Sequence, residues 1–273
     1  MNKIDNKNSI SFKNVHPKFA AVGAGFGNLR TMVRERGAER LKYSSAADNA
    51  AKTFLTNRIL ASLAAADFAR LKPHLELVSL GAGEELCAPG EPHYYVYFPI
   101  TAVVSHLCVT ANGDMIEAAM IGAEGASGVC GLFGVPASSH QAQTVGIGSA
   151  ARIKIEILRQ EFEQADGLRA RLLEYVNAYV GQISQRVVCQ SFHLTEKRLS
   201  SWLLMLHDRL KKNQFDATQE QIALHLGVNR PSLTLIAQAL RAKGLIEYRR
   251  GKVEIIDRPE LEKAACECYR FVH

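Results

Sequence analysis

The chain of 273 residues has no apolar run near the roughly 18 residues that a membrane-spanning helix requires. Its opening stretch, Met-Asn-Lys-Ile-Asp-Asn-Lys-Asn, lacks the apolar segment of a secretory signal. A cytoplasmic protein with no membrane partner is therefore expected. No His-Glu-x-x-His pair, Gly-rich phosphate loop or Gly-x-Ser-x-Gly elbow occurs, so no catalytic residues are assigned and an enzyme is not expected. The six cysteines (Cys87, Cys108, Cys130, Cys189, Cys266 and Cys268) are scattered through a chain too long to need covalent staples. Reduced thiols follow.

What is present starts with charge. The net charge is +6, but it is unevenly spread. Residues 54–165 carry 6 Lys/Arg against 11 Asp/Glu, whereas residues 195–258 carry 12 against 7. An acidic middle is a poor surface for nucleic acid and a basic C-terminal third is a good one. With 47% hydrophobic residues the chain can bury more than one core.

The basic third holds a helix-turn-helix pattern in residues 218–240. Ala223 is small where two helices would cross, and Gly227 supplies a turn that a Cβ resists. Ile222, Leu226, Val228, Leu233 and Ile236 are spaced to bury both helices against a third. Thr218 followed by Gln221 reads as a capping box, and Asn229 reads as the cap of the second helix with Pro231 in its first turn. Pro231, Thr234, Leu235 and Gln238 face away from the apolar stripe, with Arg230 on its flank. Downstream, two β-prone runs around Arg250-Gly251-Lys252 predict a hairpin wing whose Arg249, Arg250 and Lys252 would reach phosphates.

Upstream, the chain divides into four expected parts. Residues 1–53, rich in Asn, Ser, Gly and Ala, read as a mostly disordered extension. Residues 54–165 open with a helical pattern and then show seven short β-prone runs broken by Gly and Pro, which predicts a jelly roll or small barrel. Residues 166–192 form a long helix whose Leu172, Val176, Tyr179, Ile183 and Val187 make one seam, read as a homodimer contact. Residues 193–273 complete the winged helix-turn-helix, with Thr195 as the cap of a supporting helix that carries Leu199, Trp202, Leu203 and Leu206. The fold class is α+β.

A jelly roll, a long connecting helix and a C-terminal winged helix in that order resemble the Crp/Fnr family of bacterial transcription regulators. The resemblance covers residues 55–270 and is strongest over 194–257. It implies a cyclic-nucleotide-binding-like sensor domain and a homodimer on double-stranded DNA with a two-fold symmetric operator. It admits RNA polymerase as a further partner. Thr218, Gln219, Asn229, Arg230, Pro231, Ser232, Thr234, Leu235, Gln238, Arg249, Arg250 and Lys252 are then the expected DNA-contacting residues. Thr218 and Gln219 would act through backbone amides at the helix N-terminus.

Departures from the family pattern are informative. Where cyclic-nucleotide binders place a Gly-Glu pair and then an Arg, this chain has Gly128-Val129 and Ser138-Ser139, so a cyclic phosphate would lack its counter-charge. These four residues are the candidate effector positions, and cAMP is not the expected effector. Iron–sulfur members use cysteines near the N-terminus, and the first cysteine here is Cys87. Haem-binding relatives use an axial histidine, but nothing singles one out of His74, His93, His106 and His140, so the cofactor stays unassigned. In the recognition helix Arg230 matches a base-reading arginine, while Pro231 and Leu235 replace a glutamate and a second arginine. The operator should therefore differ from the usual one. Cys266-Glu-Cys268 near His273 reads as an ordinary helical tail, and no metal ligand is assigned. The other reading is a ligand- or redox-sensing module whose winged helix binds protein.

Overall fold

The computed structural model describes residues 47–135 and 137–271. Most of the segment read as a disordered extension, and His273, lie outside them. The part that is described departs from that reading, because helix α1 already runs over Ala47–Phe54 and buries Phe54. An aromatic anchor in the roll's core supplies the burial that makes this end fold.

Two short helices follow, α2 (Arg58–Ala61) and α3 (Ala65–Leu71). Asn57 caps α2 and is wholly buried. Its side-chain oxygen accepts from the Ile59 and Leu60 amides, and its NH₂ donates to the carbonyls of Pro99 (3.0 Å) and Gly125 (2.9 Å). Both ends of the amide are thus satisfied, and the entry helix is tied to two loops of the roll.

The roll has strands β1 (Glu76–Leu80), β2 (Glu85–Cys87), β3 (Tyr95–Pro99), β4 (Val104–Val109), β5 (Met115–Ile121), β6 (Gln141–Thr144) and β7 (Gly148–Lys154). They form two antiparallel sheets, β1-β7-β3 and β2-β6-β4-β5. Alternation explains the strand faces. Val96 and Phe98 of β3 enter the core with no exposed surface, which sends Tyr95 and Tyr97 to the other side. All seven sequence-predicted runs are strands, displaced by no more than a few residues.

Helix α4 (Ile155–Gln164) closes the roll, and α5 (Asp166–Phe192) runs 27 residues from it. The C-terminal head contains α6 (Thr195–Leu210), α7 (Gln219–Leu226), α8 (Arg230–Ala242) and α9 (Arg258–Ala264), followed by the short α10 (Cys268–Phe271). Its three-stranded sheet has the order β8-β10-β9, formed by Gln214–Asp216 (β8), Ile246–Arg249 (β9) and Lys252–Ile255 (β10). Strand β8 is an addition to the predicted hairpin. Leu199, Trp202, Leu203 and Leu206 are buried in the head's core as expected. Thr195 does not cap α6; it lies inside the helix, and Leu194 precedes it without a side-chain cap.

Candidate nucleic-acid interface and sensor cavity

The helix-turn-helix is held by the caps its sequence prescribes. Thr218 Oγ1 accepts from the Gln221 amide at 3.2 Å, and Gln221 Oε1 accepts from the Thr218 amide at 2.8 Å. Gly227 ends α7 at φ 62°, and a Cβ there would stand 2.7 Å from Ile116 Cδ1 of β5. Asn229 Oδ1 accepts from the Ser232 amide at 2.9 Å and starts α8. Leu233, Ala237 and Leu240 are buried. Asn229, Arg230, Pro231, Ser232, Leu235 and Gln238 are exposed together on the opposite face, with Thr234 half-buried beside them.

Several of these side chains are already oriented. Thr234 Oγ1 donates to Gln219 Oε1 at 2.8 Å, which joins the two helices at their outer edge. Arg230 pairs with Glu220 at 2.6 Å, both groups largely exposed. Such a surface pair contributes about 0–1 kcal/mol, so it yields easily to a stronger partner. One expectation is narrowed: Thr218's amide is taken by the capping box, although the residue itself is exposed.

The wing is a two-residue hairpin. Arg249 pairs with Lys252 across it, and the loop residues Arg250 and Gly251 have φ values of 50° and 78°. Positive φ at both central positions is the type I′ turn that matches strand twist. Arg249 is drawn back by Glu247 at 3.0 Å, and Lys252 stands 3.9 Å from Asp216. Arg250 has no ion-pair partner among the described residues and marks the tip.

The long helix corrects the expected seam by one residue. Leu172 is wholly buried in the roll's core, and the Tyr179 hydroxyl bonds to His106 Nδ1 at 2.7 Å. Gln182 donates to the Met120 carbonyl and Arg186 to Glu117, so this face of α5 packs on its own roll. The sequence carries two adjacent apolar stripes, and the bulkier pair, Leu172 and Tyr179, is used internally. Left outward are Leu173 (48% exposed), Val180 (54%) and Val187 (62%), spaced by seven, with Val176 and Ile183 half-buried between them. That is an a/d pattern on an open face.

Roll and head meet at Glu117 of β5, which is 1% exposed. Its carboxylate accepts from Trp202 Nε1 (3.1 Å), Arg186 Nη2 (3.4 Å), Ser105 Oγ and His225 Nδ1 (3.1 Å). Burial pushes this carboxyl up, but His225, Arg186 and Ser105 outweigh that and hold it below its ordinary range.

The roll also carries a partly open cavity of about 220 Å³ lined by Cys87, His93, Tyr95, Tyr97, Gly128 and His140 among others. Of the four candidate effector residues only Gly128 lines it. A Cβ there would strike the Tyr95 carbonyl at 2.6 Å. Val129 turns into the hydrophobic core, Ser138 is spent on the backbone of His140, and Ser139 is exposed.

His93, His106 and His140, separate candidates in the sequence, form one group in the fold. His140 stacks on His106 with ring centroids 4.2 Å apart, and His93 lies beside His140 at 6.5 Å. Burial lowers all three, His140 to about 4, so they are neutral at pH 7. His93 Nε2 is buried and has no hydrogen-bond partner among the described residues. The usable signal was the alternation of Tyr95 and Tyr97 with core residues along β3, with His93 two residues upstream of Tyr95.

With this geometry in view, the relatives are informative. Residues 197–264 match the Crp-like helix-turn-helix domain family. Electron transport regulator A of Shewanella oneidensis is 23% identical over 192 residues, spanning 67% of this chain and 76% of that protein. The transcriptional activator protein anr of Pseudomonas aeruginosa is 24% identical over 191 residues, spanning 67% and 77%. The head thus carries a Crp-like helix-turn-helix domain, and both relatives are regulators by name. The fold of the chain agrees: the c-di-GMP-responsive global regulator CLP of Xanthomonas campestris superposes with a TM-score of 0.60 at 18% identity, covering 71% of this chain and all of CLP (100%). A CRP/FNR-family transcriptional regulator from Thermus thermophilus gives 0.57 at 19% identity, covering 70% and 98%. No helix among the described residues is long and apolar enough to cross a membrane.

Proposed function

We propose that the chain is a homodimeric, sequence-specific, cytoplasmic DNA-binding regulator whose input is a small molecule in the histidine-lined cavity. The observation that carries this is the clustering of Arg230, Ser232, Leu235 and Gln238 on one open face of α8, beside a wing tipped by Arg250. An α-helix with such a face fits the major groove, and two copies would read half-sites about 34–36 Å apart. Pairing through Leu173, Val176, Val180, Ile183 and Val187 supplies the two-fold axis. RNA polymerase is the natural further partner of such a dimer.

Cyclic AMP is disfavoured as the input. Neither lysine nor arginine lines the cavity, and the three histidines are neutral, so a cyclic phosphate would be buried without a counter-charge. An uncharged or weakly polar ligand suits the aromatic walls and the unpaired His93 nitrogen.

Mobility-shift titrations against genomic upstream fragments at two salt concentrations test the reading. A subset of fragments should bind tightly, and the affinity should fall steeply with salt. Absent or salt-insensitive binding would favour the winged helix as a protein-docking element instead.

A further inference from the structure

The C-terminal end of α5 and the start of α10 bring four soft ligands together. The sulfurs of Cys189, Cys266 and Cys268 and a ring nitrogen of His193 all lie within 4.8 Å of one another. Cys189 lies in the last turn of α5 and His193 is the residue that ends it, its backbone N–H donating to the Cys189 carbonyl at 3.2 Å, and Cys266-Glu-Cys268 approaches from the other end of the head. We propose that this cluster is a mononuclear Cys₃His site for a zinc-type divalent cation that clips the long helix to the C-terminal end of the DNA-binding head.

The spacing fits. Ligands at about 2.3 Å (sulfur) and 2.0–2.1 Å (nitrogen) in a tetrahedron place two sulfurs about 3.7 Å apart and a sulfur and nitrogen about 3.5 Å apart. Here Cys189 Sγ and Cys266 Sγ are separated by 3.6 Å, and Cys268 Sγ and His193 Nδ1 by 3.4 Å. A divalent ion with three thiolates and one imidazole favours tetrahedral zinc over octahedral, oxygen-seeking cations.

Outer partners are in place for three of the four ligands. His193 Nε2 donates to Glu267 Oε1 at 3.1 Å, which leaves the Nδ1 lone pair aimed at the sulfurs. Gln185 Nε2 donates to Cys268 Sγ at 3.0 Å, and the Ser201 hydroxyl lies 3.1 Å from Cys266 Sγ. A carboxylate behind the ligating histidine and hydrogen bonds to ligating sulfurs are the usual support of a metal centre.

Charge gives an independent indication. Arg198 is 8% exposed, forms no ion pair with a carboxylate among the described residues, and leaves its Nε without a hydrogen bond. Its Nη2 donates instead to a neutral partner, the Leu226 carbonyl. A divalent ion bound by three thiolates leaves one net negative charge, the counter-charge this arginine otherwise lacks. Binding releases whatever protons the thiols still hold.

The test uses the full chain purified under reducing conditions without chelator. Elemental analysis should give one zinc per chain. Cobalt(II) added after zinc removal should give thiolate-to-metal charge transfer and the intense visible bands of a tetrahedral site. Glu267→Gln, at an exposed position, should lower zinc affinity about 10- to 100-fold with the fold unchanged by circular dichroism. His193→Gln should lower it at least as much, and Cys108→Ser should leave it unchanged. Metal-free protein that gives no cobalt spectrum, an iron–sulfur absorption spectrum, or equal affinity in His193→Gln would each overturn the assignment.

Discussion

Glu117 on the roll accepts a hydrogen bond from the indole N–H of Trp202 in the head, at 3.1 Å and with both residues buried. The carboxylate also binds His225, Arg186 and Ser105 and sits beside a shared core in which Val103, Met120 and Val145 of the roll pack with residues of the head. Removing one member of a buried pair strands the others, at about 3–5 kcal/mol. Glu117→Ala should lose about that much in urea unfolding and split the single transition into two. A loss below about 1 kcal/mol would show that the joint is not a coupling point.

Arg230 and Arg250 should fail differently. Arg230→Ala should relax preference at one base pair of the operator by about 1–3 kcal/mol, because a guanidinium reads guanine bidentately. Arg250→Ala should weaken all sequences alike and reduce the salt slope by about one. Competition binding against single-base operator variants separates the two outcomes. A uniform loss for Arg230→Ala removes its base-reading role.

The corrected seam has its own test. Val180→Glu puts a charge on the open face of α5 and should convert dimer to monomer in sedimentation velocity, with little change in unfolding at high dilution. Leu172→Ala should instead cost about 2–5 kcal/mol of stability through the cavity it leaves. If Leu172→Ala dissociates the dimer selectively, the internal assignment of that face is wrong.

The cavity histidines set a pH dependence. A histidine whose value is lowered on folding takes up protons more readily when unfolded, so stability falls as pH drops below the unfolded value near 6.5. For His140, held near 4 by burial and by His93, the loss between pH 7.5 and 5 is about 2 kcal/mol. His140→Gln should flatten urea midpoints across that range. An unchanged slope would mean that the ring is solvated. Glu117 acts further down: held below its ordinary range, it stabilises above about pH 4, and that contribution disappears as pH falls through its folded value.

Local chemistry was legible where one residue type solves one backbone problem. The Thr218–Gln221 box, the Asn229 cap, Gly227 and the Arg250-Gly251 turn stand where the sequence places them. Strand alternation exposed the seven strands of the roll. Choices between equivalent faces were not legible. Leu172 and Leu173 both belong to apolar stripes, and only the roll's surface decides which is buried. The histidine cavity draws on residues 86–97, 127–128 and 140–142, and the Cys₃His cluster joins residues 189–193 to 266–268, so short-range spacing alone does not assemble either. Ser138 and Ser139 were found through a cassette alignment that the loop's backbone does not follow.

Ile116 beneath the turn of the helix-turn-helix makes Gly227 answerable to two constraints at once. Asparagine tolerates a left-handed backbone, and in an isolated head it would substitute at modest cost. Here its first side-chain carbon would meet the Ile116 side chain of β5 at 2.7 Å, so Ile116 must swing aside or be trimmed to admit it. The two positions, 111 residues apart in sequence, are thereby coupled.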